Sequence, residues 1–278
     1  MAASDVSTDS TRQERAPHAS RLAFDRSGRG EPLVLLHGQG FSRRSWDPVI
    51  PLLAEHRDVI NVDLPGHGES PRQPKGTGSA PHDLAVAVAE LMDELGLPTA
   101  HIAGNSSGGW VALELGRLQR ARSVTAISPA GLWRRRAPRH IGLGMRQARL
   151  NARIVHRLFP HAPKKRLTRA LAASQVSGHP FQVPYGPARD TIAAMAEAPG
   201  FRETLRALVK TRFTGGADIT VPVTVAFGTR DRVLLPLASR RRKELPPQTR
   251  WVKLRGLGHV PMFDDPGTTA ELVLSMKG

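Results

Sequence analysis

The stretch that decides the fold of this chain reads Gly104-Asn105-Ser106-Ser107-Gly108-Gly109. The apolar residues 99–103 before it predict a buried strand, and residues 107–119 after it predict a helix. A serine in such a sharp strand-to-helix turn is held in strained backbone geometry with its hydroxyl exposed. The helix N-terminus offers N–H groups and a partial positive charge, which suits a nucleophile whose attack creates an oxyanion. The string G-x-S-x-G alone is a weak signal in a chain with 26 glycines, so the strand-turn-helix context is what makes Ser106 the candidate nucleophile.

Strand and helix patterns alternate on both sides of this turn. Apolar runs between amphipathic helices predict a parallel sheet covered on both faces, with functional loops at the carboxyl ends of its strands. After residue 130 the alternation stops, and it resumes near residue 200. The predicted strands are 21–24, 32–36, 58–63, 99–103, 123–128, 221–227 and 249–254, and the predicted helices are 45–56, 83–95, 107–119, 142–159, 163–173, 201–212, 235–245 and 268–276.

The composition indicates a water-soluble globular protein. With 278 residues, 40% of them apolar, and a mean hydropathy of −0.30, the chain suits one large domain with an inserted subdomain. It contains no cysteine, which excludes disulfides, cysteine-ligated metals and a thiol nucleophile. The polar residues 1–20 lack the apolar centre of a secretory signal, so we expect a disordered N-terminal tail and a cytoplasmic location.

The formal charge of +16 is unevenly distributed. Residues 131–212 contain 17 Lys or Arg against 3 Asp or Glu, so this segment holds most of the excess. Such a surface can attract an anionic membrane, nucleic acid or acidic substrates, or can simply be a solvated face. No nucleic-acid-binding motif accompanies the arginines, and aromatic residues for base stacking are few, so nucleic acid is not an expected partner.

A serine nucleophile needs a base, and the base needs an orienting acid. Asp231 follows the predicted strand 221–227, and His259 follows the strand 249–254, so both belong to loops at strand carboxyl ends. His37, His67 and His101 are weaker candidates for the base, since they lie before a glycine loop, within a Pro/Gly turn and inside a strand. Ser107 and Ser128 are likewise weaker nucleophiles than Ser106.

The oxyanion needs backbone donors from two places. One is the N–H of Ser107, directly after the nucleophile, and the other comes from the loop 37–40, where the N–H of Gln39 is the candidate. The glycines of that loop allow its backbone to approach the reacting carbon.

With these motifs together, the chain resembles the α/β-hydrolase fold superfamily. The resemblance covers residues 33–265 and implies an eight-stranded, mostly parallel sheet flanked by helices, with a helical cap inserted after the sixth strand. It divides the chain into a core of residues 21–130 and 200–278 and a cap of residues 131–199. It implies that Ser106, Asp231 and His259 are nucleophile, acid and base. The matching pieces are 37–40, 63–70, 104–109, 228–231 and 258–259.

The resemblance also narrows the reaction. Similar enzymes that open epoxides or haloalkanes use an aspartate nucleophile, whereas this chain has Ser106 at that position. Aminopeptidase-like relatives usually carry a tryptophan within the G-x-S-x-G turn, where this chain has Asn105 and Ser107. We therefore expect a serine esterase, lipase-like, that cleaves a carboxylic ester through an acyl-enzyme without metal or cofactor. A carbon–carbon bond hydrolase, a cofactor-free perhydrolase and, from another class, a non-catalytic ligand-binding protein remain alternatives.

Substrate choice is expected to depend on the cap. Trp133 in the cap is a candidate to line an apolar acyl pocket, together with Phe41, Trp110 and Val260 of the core. For apolar residues of the cap, however, packing onto the sheet is the more common role. The basic face of residues 134–169 is a candidate contact with anionic lipid. The acyl group, the alcohol and the oligomeric state are left open.

Overall fold

The computed structural model describes residues 22–74 and 76–275, so the predicted disordered tail 1–20 lies outside the described residues. They form one twisted sheet of seven strands in the order β1-β3-β2-β4-β5-β6-β7. Strand β1 pairs antiparallel with β3, and all the other pairings are parallel. The strands are β1 (Phe24–Ser27), β2 (Pro32–Leu36), β3 (Asp58–Val62), β4 (Ala100–Asn105), β5 (Ala121–Ile127), β6 (Val223–Gly228) and β7 (Arg250–Leu254).

Helices connect the parallel strands, as parallel pairing requires. Four of them, α4 to α7, belong to the long connection between β5 and β6, which we call the helical segment (residues 131–212). The helices are α1 (Ile50–Ala54), α2 (Pro81–Glu94), α3 (Ser107–Arg117), α4 (Arg139–Leu158), α5 (Arg166–Ala173), α6 (Tyr185–Glu197), α7 (Phe201–Lys210), α8 (Pro236–Ser239) and α9 (Pro266–Leu274).

The predicted α/β class, with a mostly parallel sheet flanked by helices, is confirmed. Two details of the expected architecture differ. The sheet has seven strands in the described residues, not eight, because β1 is its antiparallel edge and pairs on one side only, with β3. The helical segment accordingly follows the fifth strand and not the sixth.

Two predicted helices are shorter than their sequence patterns suggest. The pattern at 45–56 splits into a 3₁₀ turn at Arg43–Trp46 and the short helix α1, because Pro48 interrupts it. The pattern at 235–245 is helical only in α8. Beyond α8, Arg240 lies over the ring of Phe227 at 4.3 Å and Arg242 over Trp251 at 4.6 Å, so contacts with the sheet override the local helix pattern.

The core has two layers because successive strand residues point to opposite faces of the sheet. In β2, Val34 and Leu36 face a cluster that includes the buried residues of α2 and α3, while Leu33 and Leu35 face a second cluster that includes residues of α1 and α9. A third, smaller cluster lies inside the helical segment, among α4, α6 and α7. The sheet is thus covered on both faces, and its loops lie at the ends of the strands.

Candidate active site

Ser106 lies at the carboxyl end of β4, the central strand of the sheet. Its backbone has φ 56° and ψ −115°, which is unusual for a residue with a side chain. Such a conformation costs on the order of 1–3 kcal/mol and persists only where neighbours hold it. Here the Ser106 N–H donates to Ile127 O at 2.9 Å, and its carbonyl accepts from Trp110 at 3.2 Å and Ala130 at 2.9 Å. The predicted strained turn is therefore present, held from both sides.

Glycines make the turn possible because the backbones pack without room for side chains. A Cβ on Gly108 would overlap the carbonyl oxygen of Leu36 in the neighbouring strand, and a Cβ on Gly104 would overlap Gly108 itself. This close approach brings the N-terminus of α3 against the end of β2. It therefore sets Ser106 beside the loop that follows β2.

That loop, residues 37–41, extends the predicted oxyanion loop 37–40 by one residue, Phe41. A Cβ on Gly38 would lie 3.2 Å from the Cβ of Ser106, so the loop backbone runs directly past the serine. The side chain of Gln39 donates to Phe201 O at 3.0 Å and to Thr204 Oγ1 at 2.9 Å, which ties the loop to α7. Within the described residues, neither the N–H of Gln39 nor that of Ser107 donates to a protein acceptor. Both predicted donors are thus unused beside Ser106.

His259 and Asp231 form a buried hydrogen-bonded pair. His259 Nδ1 lies 2.9 Å from Asp231 Oδ2, and the other carboxylate oxygen accepts the N–H groups of Val233 and Leu234, each at 2.9 Å. Burial works to raise the pKa of Asp231, but the neighbouring histidine and the two N–H donors outweigh it, so its pKa lies below the ordinary value. An ionised Asp231 holds the proton of His259 on Nδ1 and leaves Nε2 to act as a base.

Asn105 connects this pair to the serine. Its side-chain amide donates to the backbone carbonyl of His259 at 2.9 Å and to that of Ile127 at 3.2 Å, from the residue immediately before Ser106. No hydrogen bond joins Ser106 Oγ to His259 in the part of the chain that the structure describes, and such bonds are often long in ligand-free sites. The sequence did not reveal this role of Asn105, because an asparagine within the G-x-S-x-G turn has no characteristic spacing to the residues that it contacts.

Asp264 is a second residue that the sequence did not reveal. Its carboxylate accepts from the N–H of Gly258 at 2.6 Å, from the N–H groups of Gly178 and His179 at 2.9 and 3.2 Å, and from the hydroxyl of Ser177. These donors come from two distant parts of the chain. Asp264 therefore joins the His259 loop to the helical segment, a role visible only in three dimensions.

Two of the other buried histidines are held by backbone bonds. His37 Nε2 accepts the N–H of Leu64 at 3.0 Å, so its proton is on Nδ1, which donates to Gly38 O at 2.8 Å. Burial lowers the pKa of His37, and burial also lowers that of His67 to about 3. Both rings are neutral at physiological pH.

His101 lies within β4, with Nδ1 2.8 Å from Ser123 Oγ and Nε2 3.3 Å from Glu31. Burial lowers its pKa too, despite the opposing effect of the Glu31 carboxylate. Both ring nitrogens of His101 already lie beside partners near the N-terminal end of β4. This placement indicates that His101 is structural and is not the base for Ser106.

The four predicted substrate-binding residues fall into two groups. Trp110 and Trp133 are buried in the core cluster on the α3 side, packed edge to face at 5.7 Å, and their ring N–H groups donate to Glu114 and to Thr211 O. This placement favours packing over a pocket wall. Phe41 and Val260 lie in the other core cluster, Phe41 on the oxyanion loop and Val260 next to His259. Of the four residues, Phe41 and Val260 are the nearest in sequence to a candidate catalytic or oxyanion-hole residue.

No group of three His, Asp or Glu side chains is placed to hold a metal ion in the described ranges 22–74 and 76–275. The polar groups near Ser106 are its own hydroxyl, the hydrogen-bonded pair of Asp231 and His259, and the unused N–H groups of Gln39 and Ser107.

Comparisons with known proteins match most of the chain. The sequence model of the "Alpha/beta hydrolase family" matches residues 33–272. A protein named "Epoxide hydrolase EphH" from Mycobacterium tuberculosis is 39% identical over 198 residues, which cover 69% of this chain and 92% of that protein.

Solved structures are similar over almost the whole chain. The carboxylesterase CesB from Bacillus subtilis matches with a TM-score of 0.68 and 22% identity, covering 94% of this chain and 88% of its own. A meta-cleavage product hydrolase from Pseudomonas fluorescens matches with a TM-score of 0.68 and 21% identity, covering 91% of this chain and 92% of its own. At these identities the likeness shows the fold alone.

Proposed function

Because this chain belongs to the alpha/beta hydrolase family and is a hydrolase, we propose that it cleaves carboxylic esters of small or medium apolar substrates through an acyl-enzyme on Ser106. The observation that carries this proposal is the position of Ser106, in a strained turn beside two unused N–H donors and next to the residue that holds His259. A non-catalytic ligand-binding protein would have no need of this arrangement.

In the proposed first half-reaction, Ser106 Oγ attacks the ester carbonyl carbon while His259 Nε2 takes the hydroxyl proton. The tetrahedral intermediate then collapses, the C–O bond to the alcohol breaks, and His259 returns the proton to the leaving oxygen. In the second half, water loses a proton to His259 and attacks the carbonyl carbon of the acyl-enzyme. The bond from that carbon to Ser106 Oγ then breaks, His259 returns the proton to Oγ, and the carboxylic acid is released. Asp231 stabilises the imidazolium that forms in each half.

The N–H groups of Gln39 and Ser107 are the proposed oxyanion hole. Removing one such donor typically costs about 3–4 kcal/mol of transition-state stabilisation. Because both are backbone groups, their positions depend on what anchors the loop. The bonds from the Gln39 side chain to Phe201 and Thr204 supply that anchor from α7.

Epoxide hydrolysis is the second candidate, since a relative with 39% identity carries that name. The chemistry of a serine nucleophile favours hydrolysis of an ester over hydrolysis of an epoxide. Attack of the Ser106 hydroxyl on an epoxide carbon would leave an alkyl ether, which has no carbonyl for water to attack, so the enzyme would not be regenerated. An ester instead leaves an acyl group that water can remove. Epoxide opening on this chain would therefore have to proceed by direct attack of water.

The test is hydrolysis of a series of 4-nitrophenyl esters of rising chain length by the wild type and by Ser106→Ala, with styrene oxide as a parallel substrate. We expect ester turnover to fall by about 10⁶ in Ser106→Ala, and a fluorophosphonate probe to label the wild type at Ser106. Ester hydrolysis that survives the substitution would refute the proposed nucleophile. Turnover of styrene oxide, but of no ester, by both proteins would favour direct attack of water on an epoxide.

A further inference from the structure

Helix α4 of the helical segment exposes apolar side chains on its outer side. Leu143, Leu150, Ile154 and Leu158 are between 43% and 68% exposed. At 100° per residue, the first three lie within about 40° of one another around the helix. The inner side of the same helix is also apolar, with Ile141 and Ala152 buried. Helix α4 therefore has a second apolar stripe, on its outer side, whose large side chains are exposed to solvent.

Arginines run beside this outer stripe. Four of them have spacings of seven, seven and four residues, which places them on one side of the helix, next to the apolar residues. All four are exposed, and α4 contains no Asp or Glu. This arginine stripe consists of Arg139, Arg146, Arg153 and Arg157.

The chain beyond α4 continues the same chemistry. Phe159 is 57% exposed, and Lys164 and Lys165 are exposed before α5. On α5, Leu167 and Leu171 are 62% and 67% exposed. Large apolar side chains and cations thus alternate over the surface of residues 139–171, with no acidic residue among them.

We propose that the outer face of α4 is a docking site for an anionic phospholipid surface, on which the helix lies flat. Leucine and isoleucine side chains would enter the boundary between headgroups and acyl chains, while the arginine stems extend to bring their guanidinium groups to lipid phosphates. No helix within the described residues is long and apolar enough to cross a membrane, so α4 lies on the surface and does not span it.

The charge pattern selects this occupant over a second copy of the chain. A symmetric dimer through α4 would bring two arginine stripes together with no carboxylate on either helix to pair with them. Nucleic acid would satisfy the arginines but would leave the apolar stripe in water. An anionic bilayer satisfies both stripes at once, which is the usual pattern of interfacial helices. This inference does not depend on the ester hydrolysis proposed above.

The test is cosedimentation of the full chain with vesicles of phosphatidylcholine, with or without 30% phosphatidylglycerol. We expect binding to the mixed vesicles that weakens as salt is raised, because each cation near an anionic leaflet contributes about fivefold. The double variant Arg146→Gln/Arg157→Gln should bind roughly 25-fold more weakly. Leu150→Asn should weaken binding about tenfold or more, through loss of apolar insertion.

Two control variants lie outside the helical segment. Arg29→Gln/Arg250→Gln removes the same charge from the β1–β2 loop and from β7, and Leu52→Asn alters an exposed leucine of α1, which packs against α9 and β3. We expect both to bind like the wild type. Equal binding to both vesicle types, or equal loss in the control and α4 variants, would overturn the proposal. Dimerisation in analytical ultracentrifugation that Leu150→Asn abolishes, without vesicle binding, would assign the face to a second copy instead.

Discussion

Replacing Asn105 with alanine tests whether one buried amide positions the base relative to the nucleophile. The substitution removes the hydrogen bonds to the carbonyls of His259 and Ile127, at 2.9 and 3.2 Å. Ile127 O keeps the bond from the Ser106 N–H at 2.9 Å, so it is the buried His259 carbonyl that loses its partner, and an unpaired buried acceptor costs about 1–3 kcal/mol. We therefore expect the free energy of unfolding to fall by about 1–3 kcal/mol.

Asn105→Ala should lower kcat by more than its loss of stability can explain. Without the amide, the His259 loop is no longer tied to the residue before Ser106, and a displacement of about 1 Å at a catalytic group can cost on the order of 100-fold. We expect kcat for a short aryl ester to fall by roughly 10- to 100-fold, with KM changed by less. Urea unfolding, kcat and KM measured on the same preparation separate the two effects.

Leu91→Ala is the control for lost stability, because Leu91 is buried in α2 and its truncation should cost at least as much, about 2–5 kcal/mol, by leaving a cavity. We expect this variant to keep its kcat within about twofold where it is fully folded. If Asn105→Ala loses stability but retains kcat as well as the control does, Asn105 is structural only and the reasoning fails. If the wild type hydrolyses no ester, it is the proposed function that fails, and the stability result still stands.

Two further predictions concern groups outside the proposed reaction. Asp264→Ala should lower the free energy of unfolding by about 2–4 kcal/mol in urea titrations, because the N–H groups of Gly258 and Gly178 lose a charged acceptor; an unchanged midpoint would show that water replaces the carboxylate. The pKa of about 3 for His67 means that the unfolded chain binds a proton that the folded chain does not, from about pH 6.5 downwards. Stability should therefore fall with decreasing pH by about 1.4 kcal/mol per unit on account of this residue, and His67→Gln should lose less between about pH 6.5 and 4.5 than the wild type. Parallel pH curves for the two proteins would contradict this origin.

Much of the architecture is readable from local pattern. The apolar runs at 32–36 and 58–63 correspond within a residue to strands β2 and β3, because buried parallel strands are largely apolar segments. The segment predicted at 249–254 also matches its strand, β7, although β7 is an edge strand and only partly buried. The helix α6 was not predicted, and the helix expected at 235–245 ends at Ser239. In the second region, the contacts of Arg240 and Arg242 with rings of the sheet outweigh the local helix preference.

The sequence alone determined the fold class and the turn at Ser106, because alternating periodicity and a glycine-bounded serine are local properties. The roles of Asp231 and His259 remain predictions, now with a 2.9 Å hydrogen bond between them. Only the tertiary structure decided what surrounds them. Asn105 holds His259 across 154 positions, and Asp264 joins loops 86 residues apart, since hydrogen bonds between distant segments leave no periodic trace in the chain. The same holds for α4: the sequence shows two apolar faces on this helix, but which of them is buried depended on where α6 and α7 pack against it.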